Sequence, residues 1–406
     1  MVRTASLFSQ LLDEIPRAHF AALVKKHGGE RRAKGFTCWT QFVAMMFCHL
    51  AHADSLREIS NGLACCLGKL THLGIQRPPS RSTLSYANQH RPASLYRDLF
   101  YTTLERFRAN GQLGRHRPKS FRFRNHLQSL DSTVISLCLE LFPWAKFRRA
   151  KGGVKVHVLL DHDDYMPSFV QITDAKEADI KIARCLDLNV GSIVAMDRAY
   201  NEYSLFGRWC RRGIFFVTRM KRRTQYEVVE EREPPKHRQI VSDEIIRLTS
   251  RRGSQDCPHE LRRVVVWDAE KEREIVLLTN HLDFGATTIS SIYKERWKIE
   301  LFFKALKQNL KIRTFIGTSK NALLIQIWTA LIAMLLLRWL AYRSKSGWSF
   351  SNLACMLRLN LFTYRDLAGW LDDPLATPPE TPLPLQLAFE GIAFGQPNPK
   401  TGGPGP

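Results

Sequence analysis

The order of apolar patterns along the chain predicts an α/β protein: a mixed sheet with an inserted β-rich subdomain, preceded by a helical N-terminal domain. Three observations lead there. Helical periodicity dominates up to about residue 110. From 129 to 218 three hydrophobic runs at hairpin spacing give way to helix, run, helix, run, an order that builds a mixed sheet flanked by helices. Between 220 and 285 strand patterns return, and then helical spacing resumes.

In the N-terminal region Leu7, Leu11, Leu12 and Ile15 share a helix face, and Phe42, Met45, Met46 and Leu50 repeat the pattern. Ser55 followed by Glu58 marks a helix start with a capping box. Pro78-Pro79 interrupts the chain before a polar segment running from Ser80 to Tyr86. A helix, a break and a polar helix with Arg81 near its start fit a helix-turn-helix reader of DNA, although many small helical domains share this pattern.

The strand region begins with 129–137, with Asp131 near its start, and continues through 154–160 and 169–173. A helix over 175–186, a strand over 192–196 ending at Asp197, a helix over 200–212 and a strand over 214–218 follow. Strand patterns at 226–229, 261–267 and 273–278 then form the inserted part. The expected divisions are 1–110 (helical, DNA-binding), 111–220 (first part of the catalytic core), 221–285 (insertion), 286–345 (core helices) and 346–406 (a helical segment and a Pro/Gly-rich disordered tail). The 322–337 run is almost wholly apolar, but at 16 residues it is short of the roughly 20 needed to cross a bilayer and reads as a core helix.

Composition bounds the partners. With 60 Lys+Arg against 38 Asp+Glu, the formal charge is +22, which favours a polyanion, most simply duplex DNA. Nine cysteines without C-x-x-C spacing suggest reduced, mostly buried thiols, neither a zinc site nor a disulfide frame. The first residues lack the basic–apolar–small pattern of a signal peptide, so a cytoplasmic, non-membrane setting is expected.

Chemistry concentrates in Tyr-x-x-Arg-x-x-x-Glu-x-x-x-x-x-x-Lys, from Tyr293 to Lys307. Ile299, Phe302, Phe303, Leu306 and Leu310 recur at helical spacing, which predicts one amphipathic helix. On that helix Tyr293, Arg296, Glu300 and Lys307 fall within an arc of about 60°. A carboxylate beside two cations and a phenol suits a site for metal and phosphate together; a solvated face with an i,i+4 Arg–Glu pair is the plainer alternative. Asp131 and Asp197 lie at strands where open α/β sheets place their ligand crevice. If they sit on neighbouring strands, Glu300 can complete a three-carboxylate cluster suited to Mg²⁺ or Mn²⁺. Two such ions would activate a water or a 3′-hydroxyl and stabilise the leaving oxygen in an in-line displacement. Asp161, Asp163, Asp164, Asp174 and Asp187 are assigned to turns and caps, and His157 to packing.

The sequence resembles DDE transposases of the insertion-sequence-four family, bacterial cut-and-paste enzymes on an RNase H-like core. Leu130-Asp131-Ser132-Thr133, Ala195-Met196-Asp197-Arg198-Ala199-Tyr200 and the Tyr293/Arg296/Glu300/Lys307 spacing carry the resemblance, with Thr279-Asn280 before and Phe315-Ile316-Gly317-Thr318-Ser319-Lys320-Asn321 after that last motif. Ala199 departs from the glycine usual there. The resemblance covers about 110–345. It implies metal-ligand roles for Asp131, Asp197 and Glu300, and phosphate or DNA-end contacts for Tyr293, Arg296 and Lys307. It also implies two Mg²⁺ ions (Mn²⁺ as a substitute), inverted-repeat ends and target DNA as partners, a dimer assembled on DNA and work at the bacterial nucleoid. In some relatives an aromatic residue of the insertion receives a flipped base; Trp267 and Trp297 are candidates by position, although core packing is expected for both. A nuclease without strand transfer, or a decayed transposase acting as a DNA-binding protein, is the alternative function.

Overall fold

The computed structural model describes residues 5–376, except 32, 34, 67, 69, 112, 114–120, 139, 149–150, 236–238, 311 and 313. The Pro/Gly-rich tail expected beyond that range lies outside the described residues.

Six helices open the chain: α1 (Leu7–Asp13), α2 (Arg17–His27), α3 (Cys38–Ala51), α4 (Leu56–Ala64), α5 (Arg81–His90) and α6 (Ser94–Ala109). The four residues expected on the first helical face are all buried, as are those on the second. Ser55 caps α4 by accepting from the Glu58 N–H, and Glu58 accepts in return from the Ser55 hydroxyl and the Asp54 N–H. The helix-turn-helix reading does not hold. That motif needs a turn of about 3–4 residues, whereas α4 ends at Ala64 and α5 begins at Arg81, with a 3-10 turn (Thr71–Leu73) between them. The Pro78-Pro79 break belongs to this long connection, and α5 instead presses Leu84, Ala87 and Asn88 inward and leaves Arg81 exposed.

The strands are β1 (Leu127–Leu137), β2 (Lys146–Arg148), β3 (Lys151–Asp161), β4 (Pro167–Asp174), β5 (Ile193–Met196), β6 (Phe215–Arg219), β7 (Tyr226–Arg232), β8 (Ile240–Leu248), β9 (Leu261–Asp268) and β10 (Arg273–Thr279). Between them lie α7 (Asp179–Arg184), α8 (Tyr203–Arg211) and α9 (Arg251–Asp256). α10 (Ala286–Glu295), α11 (Trp297–Asn309), α12 (Lys320–Arg343), α13 (Phe350–Asn360) and α14 (Leu367–Asp372) complete the chain. One sheet runs β2-β3-β1-β5-β6-β10-β9-β8-β7, with β4 also on β3. β1 and β3 are antiparallel, β1, β5 and β6 parallel, which gives the RNase H-like mixed sheet. The inserted strands continue this same sheet, because β10 returns antiparallel to β6. β8, α9 and β2 were not anticipated. The expected helices at 175–186 and 200–212 shrink to α7 and to α8 preceded by a 3-10 turn, Arg198–Tyr200.

Strand alternation distributes the sheet between two layers. Ile193 and Ala195 pack toward α10, while Val194 and Met196 pack toward α8. The third core joins α1, α3, α6 and α11 to α12, so the leading helices and the C-terminal helices share one interior. α12 is 24 residues long, more than expected, and by length and composition could cross a membrane; 89% of its most apolar window is buried within the protein. Asn321 at its start donates to the carbonyls of Asn88 and Arg91 and accepts from the Ala93 N–H, fastening α12 to the α5–α6 junction.

All nine cysteines are free, but the expectation of mostly buried thiols is corrected: Cys38, Cys48 and Cys257 are buried, whereas Cys65, Cys138, Cys185 and Cys355 are exposed.

Candidate active site

Register builds the site. β1 and β5 run parallel with Leu130 opposite Met196, so the next residue on each, Asp131 and Asp197, emerge side by side where β5 ends. Asp131 is mid-strand rather than near the start, because β1 begins at Leu127. Its Oδ1 accepts from the Ser132 N–H at 2.8 Å. Asp197 caps the 3-10 turn behind it, accepting from the Arg198 N–H at 2.6 Å.

The expected single helix from Tyr293 is broken at Arg296. The Arg296 N–H bonds the Tyr293 carbonyl and the Ile299 N–H bonds the Arg296 carbonyl, a tightened i→i+3 pattern that ends α10 and starts α11. Tyr293 therefore sits on α10 and the other three motif residues at or after the kink. There the Arg296 guanidinium spans two carboxylates, with Nη1 2.8 Å from Asp131 Oδ2 and Nη2 2.8 Å from Glu300 Oε1. Lys307, near the end of α11, donates to Thr133 Oγ1 at 2.5 Å and to the Val134 carbonyl at 3.1 Å. Because Ser129, Asp131 and Thr133 point to the same side of β1, the strand is joined to the α10–α11 pair at successive rungs. Ser129 is linked to His162 at 2.7 Å, and His162 faces Glu295 at 3.9 Å. Sequence reading did not find this last rung, since neither Ser129 nor His162 belongs to a recognisable pattern.

The electrostatics favour a cation. Burial pushes the Asp131 carboxyl up to about 6, helped by the Asp197 and Glu300 charges and opposed by Arg296 and the Ser132 N–H. Burial also raises the Tyr293 phenol, which therefore stays protonated and able to donate. Burial pulls the Arg296 guanidinium down, but Asp131, Tyr293 and Glu300 more than offset this and hold it above its ordinary value. Hard oxygen donors, a carboxyl raised by burial and a guanidinium already between two carboxylates fit a divalent ion such as Mg²⁺. The three carboxylates do not yet form a closed ligand set. Among the described residues, the His/Cys/Asp/Glu ligand atoms that all lie within 4.8 Å of one another are those of His126, Asp161 and Asp163. That group is bound up in a turn: His126 and Arg108 pair with Asp161, and Arg108 with Asp164. Asp161 and Asp164 accept backbone N–H groups there, as expected of turn residues. His157 is fully buried.

The placement of Trp267 and Trp297 in a core is corrected. Trp267 is 39% and Trp297 54% exposed. Trp267 lies near the end of β9, past the buried run Val264–Val266, and Trp297 is exposed on the first turn of α11. With Tyr293, Lys294, Lys298 and Lys271, and with Asp268, Glu270 and Glu295, they line a cleft of about 750 Å³ next to the α10–α11 kink.

Residues 125–336 match the family model described as "Transposase DDE domain". The chain belongs to the DDE transposases. Residues 3–76 match a domain of unknown function, DUF4372. The chain is 35% identical over 264 residues to "Putative transposase y4zB" of Sinorhizobium fredii, covering 64% of this chain and 71% of that one. It is 31% identical over 228 residues to "Probable transposase for insertion sequence element IS5377" of Geobacillus stearothermophilus, covering 56% and 60% respectively. A third relative, "Putative transposase for insertion sequence element IS4SA" of Synechocystis, is 23% identical over 286 residues, with 66% and 73% covered.

Proposed function

We propose that this transposase cuts DNA at the ends of its own element and joins the freed 3′-hydroxyls to a target, as a dimer assembled on DNA at the bacterial nucleoid. The observation that carries the reading is the parallel register that sets Asp131 beside Asp197, with Glu300 joined to Asp131 through Arg296. In this reading Asp131, Asp197 and Glu300 hold Mg²⁺, for which Mn²⁺ substitutes. When bound, the metal supplies Lewis-acid activation of the attacking oxygen and charge relief at the leaving oxygen.

The protein's own groups then position the phosphodiester. In cleavage a water oxygen bonds to phosphorus while the P–O3′ bond breaks and the 3′ oxygen leaves as a hydroxyl. In joining, that 3′-hydroxyl oxygen bonds to a target phosphorus while the target's own P–O3′ bond breaks and the target 3′ oxygen leaves with the proton as a hydroxyl. Tyr293 donates to a phosphate oxygen, and Lys307 offsets phosphate charge from the far end of α11. Asp131, Asp197 and Glu300 would hold the metal, and Arg296 would then be available to contact the phosphate. The exposed Trp267 and Trp297 flank the approach, where a base turned out of the stack can rest on an indole.

The test is a reaction of the purified chain with duplexes ending in its element's inverted repeats, in Mg²⁺. Nicked ends and joined products are expected, and both should disappear with Glu300→Gln. Nicking without joining would leave a nuclease, and end binding without either would leave a DNA-binding protein.

A further inference from the structure

Behind β1, on the side away from Arg296, a second polar cluster closes around Asp179, the first residue of α7. The Ser132 hydroxyl donates to Asp179 Oδ1 at 2.7 Å. The Lys155 ammonium lies 3.3 Å from the same carboxylate and donates to the Glu177 carbonyl at 2.9 Å. His157 presents Nδ1 3.4 Å from Asp179 Oδ1, while its Nε2 meets Thr173 Oγ1 at 2.9 Å. The His157 Nδ1 and the Tyr200 hydroxyl are buried without a completed hydrogen bond. Burial raises the Tyr200 phenol, with the nearby Asp179 and Asp131 charges adding to the shift.

A first-turn acidic residue commonly needs no explanation beyond the helix dipole. This one differs in what it holds. Ser132 is the residue whose N–H fixes Asp131 Oδ1. Tyr200 ends the 3-10 turn that Asp197 caps, and its own N–H bonds the Asp197 carbonyl at 3.0 Å. Asp179 thus stands at the point where the two strand motifs meet behind the carboxylates.

We propose that Asp179 is a positioning residue for the candidate metal ligand Asp131, acting through Ser132. This rests on the metal-ligand reading above. Its carboxylate holds the Ser132 side chain on the rear face of β1 and so sets the peptide that orients Asp131 on the front face. Groups that orient metal ligands influence affinity without touching the ion, on the scale of about 10–100-fold.

The experiment is a Mn²⁺ titration by electron paramagnetic resonance on the full chain without DNA. It compares wild type, Asp179→Asn, Ser132→Ala and Asp131→Asn, with thermal unfolding in EDTA alongside. Mn²⁺ affinity at least about 10-fold weaker in Asp179→Asn and weakened in Ser132→Ala is expected, with Asp179→Glu restoring part of it. A purely structural Asp179 would lower the unfolding temperature and leave the Mn²⁺ affinity of the folded protein unchanged, which overturns the inference. Should Asp179→Asn fail to fold, Ser132→Ala decides alone. If Asp131→Asn abolishes Mn²⁺ binding while Asp179→Asn and Ser132→Ala keep it, only the role of Asp179 fails. Wild-type binding by Asp131→Asn overturns the metal-ligand reading and this inference together.

Discussion

Arg296 Nη1 lies 2.8 Å from Asp131 Oδ2, and this contact ties the kink between α10 and α11 to the middle of β1. The guanidinium is largely buried, with its Nε unpartnered, and it lies between two carboxylates that otherwise repel each other. Removing one partner of a fully buried pair costs about 3–5 kcal/mol; with Asp131 and Glu300 partly exposed, about 2 kcal/mol is expected for Arg296→Ala without metal. Mg²⁺ should raise the unfolding temperature of Arg296→Ala more than that of wild type, because the ion restores the missing positive charge. Equal Mg²⁺ shifts in the two proteins would mean that Arg296 does not stand in the cation's place. Arg296→Lys should recover only part of the loss, since an ammonium cannot span both carboxylates with two directed donors.

The carboxylates themselves should separate chemistry from binding. Asn at Asp131 or Asp197, or Gln at Glu300, keeps shape and removes charge. Each change should lower end cleavage in Mg²⁺ by several orders of magnitude and leave binding of end-containing duplexes near wild type. Single-turnover cleavage and a gel-shift titration measure the two separately. Near-normal cleavage by Glu300→Gln would remove Glu300 from the site.

Much of this arrangement was legible because strand alternation and apolar runs are local signals. Leu130 and Met196 end buried stretches, so the acidic residues after them were readable as strand-edge groups. The break at Arg296 was not readable, since neither glycine nor proline marks it; the contact of Arg296 with Asp131 accompanies the tightened turn, and only tertiary structure supplies it. The exposure of Trp267 was hidden for a related reason. An aromatic in a strand reports a pleated surface, not how far along the strand that face is covered, and here the cover ends between Val265 and Trp267. The Asp179 cluster joins residues 132, 155, 157, 179 and 200, a spacing with no sequence signature.

Acid stability should depend on buried histidines. His49 bridges the Leu310 carbonyl and Thr329 between α3 and α12, and burial lowers its pKa from 6.5 to about 4. The unfolded chain therefore binds the proton first as pH falls, so stability is retained above about pH 6.5 and lost progressively toward pH 4. The full effect is on the order of 3 kcal/mol. His157 and His162 are lowered in the same direction by burial, so His49→Gln should remove only part of the slope. Urea midpoints at pH 7 and pH 4.5 test this; an unchanged pH dependence in His49→Gln would assign the acid sensitivity elsewhere.

The two indoles should matter to DNA more than to the fold. Trp267→Ala and Trp297→Ala remove exposed rings, so unfolding should shift by less than about 1 kcal/mol each. If bases stack on them, end-complex affinity should fall by about 1–3 kcal/mol per indole. Fluorescence quenching of these tryptophans by an end duplex, lost in the variants, reads the contact directly. Affinity unchanged in both variants would leave the cleft without a role in DNA.

Lys307 offers the sharpest distinction between a phosphate contact and a tether. Its ammonium is bonded to Thr133 Oγ1 at 2.5 Å and to the Val134 carbonyl at 3.1 Å, so it already joins α11 to β1. A tether alone predicts that Lys307→Ala lowers stability by about 1–2 kcal/mol, with cleavage by the folded fraction preserved. A phosphate contact predicts a further loss in cleavage and end affinity, steeper at low salt, where exposed charges act over longer distances. Lys307→Met keeps much of the aliphatic stem without the charge, and Thr133→Val removes the tether's acceptor without touching the cation. Wild-type cleavage in Lys307→Met together with lowered stability in Thr133→Val would identify a tether. Impaired cleavage in Lys307→Met but not in Thr133→Val would place the ammonium on the DNA. Lys307→Arg should then keep most activity, because a point charge near a phosphate tolerates a guanidinium better than the Arg296 position tolerates an ammonium.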